Sequence, residues 1–223
     1  MTTDPHEALS LLTAAEAGRR PGFDLVTVHA LRWRMEQARY ADRRAEHAVA
    51  VSDDDLAVLD RFVRAGGGLL ALHTAVISFD GAPRWRALCG AAWDWDRSSH
   101  PPLGPVTVTP TEAGRAHEVT AGVAAFTVED EAYGDLDAVD GLEPLLVAEH
   151  GGRTHPLAWA RTVGAGRVVT DLLGHGPPSF THPVHRDLLG RAATWAARTR
   201  TTPAPVPGAA AQAAPPEPER SRP

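Results

Sequence analysis

Three consecutive glycines, Gly66-Gly67-Gly68, stand between an amphipathic stretch and the apolar run Leu69-Leu70-Ala71-Leu72-His73. Glycine reaches the left-handed conformation at little cost, so the triplet ends a helix. That helix is expected to begin at Ser52, whose hydroxyl can cap the backbone N–H of Asp55. Asp53, Asp54 and Asp55 suit the positive end of the helix. Leu56, Leu59, Phe62 and Val63 then share one face. The run after the glycines has no polar alternation and is too short for a helix, so it reads as a strand buried on both faces. Such a strand needs layers above and below it. The expected class is α/β, a sandwich with a mainly parallel sheet.

Further strand signals lie at Asp24–Trp33, Val106–Thr109, Ala125–Glu129 and Glu143–Glu149. Pro156–Thr162 and Arg167–Leu173 flank the turn Gly164-Ala165-Gly166 at hairpin spacing. Helices are expected near Pro83–Gly90 and over Pro183–Arg198, where Leu188, Leu189, Ala192 and Trp195 keep helical spacing. Residues 1–200 form one domain on this reading. Residues 201–223 hold seven Pro and six Ala, with Val206 the one large apolar side chain. They cannot offset chain entropy by burial, so a disordered tail is expected.

All 22 basic residues are Arg; the chain has no Lys, no Asn and a single cysteine, Cys89. Schiff-base and phosphate-loop lysines, N-glycosylation, an internal disulfide and a multi-cysteine zinc cage are thereby excluded. The net charge of −6 and the lack of a basic run argue against nucleic acid as a partner. No apolar stretch approaches the ~18 residues of a membrane span. Met1–Arg20 lacks a signal peptide's apolar core, so a cytoplasmic location is expected.

In parallel sheets, ligands bind beyond the carboxyl ends of strands. His73 ends the apolar run, His175 follows Arg167–Leu173, and Asp130-Glu131 follows the strand before it, with Tyr133 close behind. These groups can share one rim of the sheet. Each also has a plainer reading: His73 as a core hydrogen-bond donor, the acidic run from Glu129 as a solvated turn. His155 alternates with Leu157 and Trp159 on one strand face. His182 and His185, near a helix start, read as surface groups. Trp93-Asp94-Trp95-Asp96 suits a sugar, by ring stacking and hydrogen bonds to hydroxyls, or else anchors a loop on the core. His100 lies in the polar loop that follows. Cys89 fits the apolar side of a short helix and reads as a buried small residue. Histidines with a carboxylate also suit zinc or another divalent ion, although no His-x-x-x-His spacing occurs among the strand-end histidines. The sequence requires no cofactor.

Several of these motifs occur in a characteristic order: Gly66–Ala75, Trp85-x-x-Leu88-Cys89-Gly90, His100-Pro101, Asp130-Glu131-Ala132-Tyr133, and His155-Pro156-x-x-Trp159. Gly164-x-Gly166-Arg167-Val168 and Leu173-Gly174-His175 complete the series. The order resembles the trehalose-utilisation (ThuA-like) family over roughly residues 5–198. The resemblance implies the class I glutamine-amidotransferase-like fold, a flavodoxin-like sheet with helices on both faces. In the related amidotransferases the strand-to-helix turn carries a catalytic cysteine. Here His73 stands at that turn, so glutamine hydrolysis through a thioester is excluded. Family members open with a strand that is not seen ahead of Pro5–Leu9. Either a start further upstream or another segment would supply that central position.

The resemblance implies carbohydrate metabolism, with a trehalose or keto-disaccharide substrate. The expected activity is isomerisation or hydrolysis of a keto-sugar by histidine-based acid/base chemistry. His73, Glu131 and His175 are the candidate catalytic residues. Trp93, His100, Tyr133, His155, Trp159 and Arg167 are the candidate substrate-binding residues. A non-catalytic sugar-binding or interaction module on the same fold is the alternative. The expected partner is a small-molecule sugar, and self-association stays open.

Overall fold

The computed structural model describes residues 1–19 and 22–197. The expected tail, 201–223, lies outside them. The chain begins with α1 (Pro5–Glu16), β1 (Leu25–Val28), a 3-10 turn (Ala38–Tyr40), α2 (Ala41–His47) and α3 (Ala57–Arg64). Next come β2 (Gly68–Leu72), a second 3-10 turn (His73–Ile77), α4 (Pro83–Cys89), β3 (Ala91–Ala92), β4 (Gly104–Pro110) and α5 (Glu112–Ala116). Then follow β5 (Phe126–Asp130), β6 (Asp137–Ala138), β7 (Pro144–His150), β8 (Arg153–Val163), β9 (Gly166–Asp171), α6 (Pro177–Thr181) and α7 (Pro183–Ala197).

The Ser52 cap exists as a reciprocal box. Asp55 N–H donates to Ser52 Oγ at 3.1 Å, and Ser52 N–H donates to Asp55 Oδ2 at 2.9 Å. The regular helix starts one turn later, at Ala57. Leu56, Leu59 and Val63 are buried beneath it.

Strand β2 is buried along its whole length. Its alternate side chains serve different layers. Leu69 and Ala71 pack with Leu59, Val63 and Leu88 of the α3 and α4 layer. Leu70 and Leu72 pack with Ala192 and Trp195 of α7 on the opposite face. A period of two thus feeds two cores from one strand. Full burial of each of the three leucines stabilises by about 1.5–3 kcal/mol.

The seven-stranded sheet has the order β1-β2-β9-β8-β7-β4-β5. It is mixed, which corrects the mainly parallel expectation. Only β1–β2 and β2–β9 pair in parallel. The other neighbours pair antiparallel. The cause is local. β7 reaches β8 through Gly151-Gly152, both at positive φ (57° and 71°), and β8 reaches β9 through an equally tight turn at Gly164. Connections this short can only form hairpins. Four successive reversals nevertheless leave β1, β2, β9, β7 and β5 pointing the same way.

β1 bonds directly to β2, Leu25 opposite Gly68 and Val28 opposite Ala71. β1 is shorter than the expected Asp24–Trp33: its last pair is Val28 with Ala71, and β2 itself ends one residue later, at Leu72. A register shift between Pro144 and Val147 marks a bulge in the β7–β8 pair. Such bulges bend a strand and raise its twist. No helix among the described residues is long and apolar enough to cross a membrane.

Candidate functional site

His73 is the first residue after β2 and has φ 48°, in the left-handed region. A non-glycine residue held there costs about 1–3 kcal/mol, and such strain collects at functional turns. The neighbouring backbone leaves it little room. A Cβ on Gly174, itself at φ 130°, would fall 3.3 Å from His73 Cβ and 2.9 Å from the Phe180 ring. The His73 ring is buried, and its Nδ1–H donates to the Leu172 carbonyl at 2.8 Å. A carbonyl can only accept, so this bond fixes the tautomer and leaves the Nε2 lone pair free. Nε2 lies 3.1 Å from Tyr133 Oη and 3.7 Å from Glu131 Oε2.

The carboxyl end of β5 closes on this point although β5 lies four places along the sheet from β9. The curl of the sheet brings it back, and Asp130 fastens it. Its carboxylate is fully buried and accepts from Gly174 N–H at 2.7 Å and His175 N–H at 3.2 Å. Asp130 therefore ties the β5 terminus to the loop that carries His175. Glu131, the next residue, faces three imidazoles: His73, His175 Nδ1 at 3.2 Å, and His100 Nδ1 at 3.5 Å. The His73 ring lies 4.8 Å from that of Tyr133 and 5.6 Å from that of His175. Trp93 closes the side, 5.3 Å from Tyr133 and 6.1 Å from His100.

Burial pushes the His73 pKa down. The Leu172 carbonyl and the Asp130 and Glu131 charges offset this only in part. The ring is thus neutral near pH 7. Burial, followed by the charges of Glu131 and Asp130, pushes the Tyr133 phenol far above its ordinary range. Tyr133 therefore stays protonated and donates toward His73 Nε2. Such a pair can hydrogen-bond to a carbonyl or acetal oxygen and exchange a proton with it. One atom each from His73, Glu131 and His175 also lie within 4.8 Å of one another, a set able to hold a metal ion.

The structure thus brings His73, Glu131, His175, Tyr133, His100 and Trp93 to one rim. It places the other expected residues elsewhere. Trp159 is fully buried and its indole N–H donates to the Cys89 carbonyl at 2.6 Å. Arg167 is the second residue of β9, at the opposite rim from His175, with its guanidinium 4.6 Å over the Trp195 ring. Both are corrections to the expectation that they line the pocket. The strand period that singled out Trp159 is a core period, and Arg167 sits at the wrong end of its strand. His155 is buried and stacks on His150, ring centres 3.8 Å apart, behind Gly134. Cys89 is buried away from the cluster, and burial pushes its thiol well above the usual range.

Two features escape the sequence reading. One is the anchoring role of Asp130, whose buried position alternates with exposed Glu129. The other is His185, expected at the surface but fully buried. Its Nε2 meets Asp171 Oδ2 at 3.1 Å and its Nδ1 meets Ser179 Oγ at 3.0 Å. Helical spacing from His185 to Leu188, Ala192 and Trp195, the buried face of α7, was the available signal. Past Trp93, the rings of Trp95, Trp33 and Tyr40 continue an aromatic row, at centre distances of 6.2, 6.3 and 5.5 Å in turn.

Comparison with known proteins gives the fold a context. The chain is similar in structure to a ThuA-like protein of Parabacteroides merdae, with a TM-score of 0.59, 17% identity, and 88% of this chain and 85% of that one covered. A ThuA-like protein of Bacteroides uniformis gives a TM-score of 0.57 and 18% identity, covering 87% of this chain and 75% of that one. A cytoplasmic protein of Salmonella typhimurium gives 0.54 and 11%, covering 83% and 74%. A search of the curated proteins finds no match. The family model for trehalose utilisation, ThuA, matches residues 43–196, more than half of the chain and every residue of the cluster. The chain belongs to the ThuA family.

Proposed function

We propose that the cluster acts on the carbonyl of a keto-sugar, a keto-disaccharide being the substrate class, as an isomerase or hydrolase. The observation that supports this reading is the placement of His73. It is strained, buried and fixed in one tautomer, with Nε2 as its accepting nitrogen beside Tyr133 and Glu131. Isomerisation removes a proton from the carbon beside a ketone and places one on the ketone oxygen; the resulting enediol then loses the proton of its other hydroxyl and takes one at the former ketone carbon, so the carbonyl moves by one carbon. Nε2 can accept the first proton while the Tyr133 hydroxyl hydrogen-bonds to the ketone oxygen. Glu131 orients His175 and His100 around them. Glutamine amide hydrolysis is not part of this reading, because His73 occupies the turn and Cys89 is buried elsewhere. The test is a panel of oxidised and plain disaccharides against wild type and His73→Ala. Turnover of an oxidised sugar by wild type alone is expected; equal turnover by both would remove His73 from the mechanism.

The aromatic row from Trp93 to Tyr40 favours a second reading, a sugar-binding module without chemistry. It is distinguished by thermal stabilisation with the same sugars and no product.

A further inference from the structure

We propose that His73, Glu131 and His175 form a binding site for one divalent transition-metal cation, zinc by ligand type. Two imidazoles and one carboxylate are a donor set used by catalytic zinc, with the fourth position left for water or substrate. Zinc binds such atoms at ~2.0–2.2 Å, so two ligands at a tetrahedral angle stand about 3.4 Å apart. Glu131 Oε2 lies 3.7 Å from His73 Nε2 and 3.2 Å from His175 Nδ1, on either side of that value. All three donor atoms fall within 4.8 Å. A small rotation of the half-exposed His175 ring closes the remaining distance.

Three supporting features point the same way. His73 donates its other N–H to the Leu172 carbonyl, the outer bond that metal-bound histidines commonly make. The loop bearing His175 is fixed by the Asp130 carboxylate, so the ligand comes from a held backbone. Among the described residues, the ion-pair partners of Asp130 and Glu131 are His73, His100 and His175, with no guanidinium among them. Two carboxylates without an arginine favour a cation.

The inference deepens the keto-sugar reading and rests on it for the substrate. A cation at this point would polarise the carbonyl oxygen as a Lewis acid. With the cation bound, His73 Nε2 is a ligand and gives up the role of proton acceptor that it has in the metal-free scheme; that role passes to His100, which faces Glu131 at 3.5 Å, and Tyr133 stays beside the carbonyl oxygen.

The full chain, stripped with chelator and dialysed, is titrated with Zn²⁺ by calorimetry and with Co²⁺ by visible absorption. One equivalent is expected to bind, with a tetrahedral Co²⁺ spectrum. Glu131→Gln and His175→Ala should each weaken binding by more than the roughly 10–100-fold that loss of an outer-shell partner costs. His175 is half-exposed, so its variant should keep the fold even where His73→Ala does not. His47→Ala, an exposed histidine outside the cluster, should bind as wild type does. Binding without sugar turnover would sustain the cation and remove the keto-sugar reading. Binding to wild type no tighter than to the Glu131→Gln/His175→Ala double variant would overturn the proposal.

Discussion

The Tyr133 hydroxyl sits 3.1 Å from His73 Nε2, across the joint where the ends of β2 and β5 meet. The two residues are 60 positions apart and come from strands that are not neighbours in the sheet. Tyr133→Phe keeps the ring that packs against Trp93 and removes only the hydroxyl. The melting temperature should change by the equivalent of about 1 kcal/mol, the typical net value of one hydrogen bond. Turnover of a keto-disaccharide should fall about 10²–10⁴-fold, the usual contribution of a positioned proton donor. Paired thermal melts and initial rates check both halves.

Trp95 extends the aromatic wall away from the reacting centre. Trp95→Ala should raise KM for a keto-disaccharide roughly tenfold, about 1.4 kcal/mol, and leave kcat within a factor of two or so. A keto-monosaccharide, too short to reach Trp95, should show no such change. Steady-state kinetics on the two sugars separate a second-ring subsite from a loop anchor.

The buried pair of His185 and Asp171 ties α7 to the end of β9. Burial works against a charged His185, but the Asp171 carboxylate and its hydrogen bond more than offset that and raise its pKa above the usual value. A raised folded-state pKa means the folded protein holds the proton more tightly than the unfolded chain. The pair's contribution is therefore fully present below about pH 6.5, the unfolded value, and is lost as pH rises through the folded value. Denaturant midpoints of wild type and His185→Leu measured from pH 6 to pH 9 should converge as pH rises, since the lowered pKa values of His73, His117 and His150 act on both proteins alike. The gap should be widest near pH 6, about 3–5 kcal/mol, because the variant leaves Asp171 buried without its charged partner.

Cys89 is fully buried and its carbonyl, not its thiol, is in use, accepting from Trp159 and Thr170. A thiol reagent should leave the folded protein unlabelled and react with one equivalent after denaturation. Cys89→Ala should keep activity while lowering stability. Rapid labelling of the folded protein, or inactivation by the reagent, would reopen thiol chemistry.

The local parts of this structure were legible in the sequence. The glycine triplet, the Ser52 cap, the strand Leu69–Leu72 and the Gly164 hairpin follow from turn chemistry and short-range periodicity. His73, Glu131 and His175 were legible because strand ends are fixed by those same signals. Pairing direction was not. It depends on connection lengths and on how far the sheet curls, and these bring β5 back to β9. Trp159 and His155 shared the alternation of the site residues, and alternation alone cannot separate a core face from a pocket. His185 was misread because a helix start suggested exposure, whereas its register with Leu188 and Trp195 put it inside.

The most direct test of the account is proton exchange at the sugar itself. A keto-disaccharide is incubated with the full-length protein in D₂O and followed by proton NMR. The account requires deuterium to enter at the carbon beside the ketone, or that carbon to change partner, at a rate that collapses in Tyr133→Phe and His73→Ala. A sugar that binds and shifts the melting temperature, yet keeps every carbon-bound proton and every glycosidic bond, would contradict it.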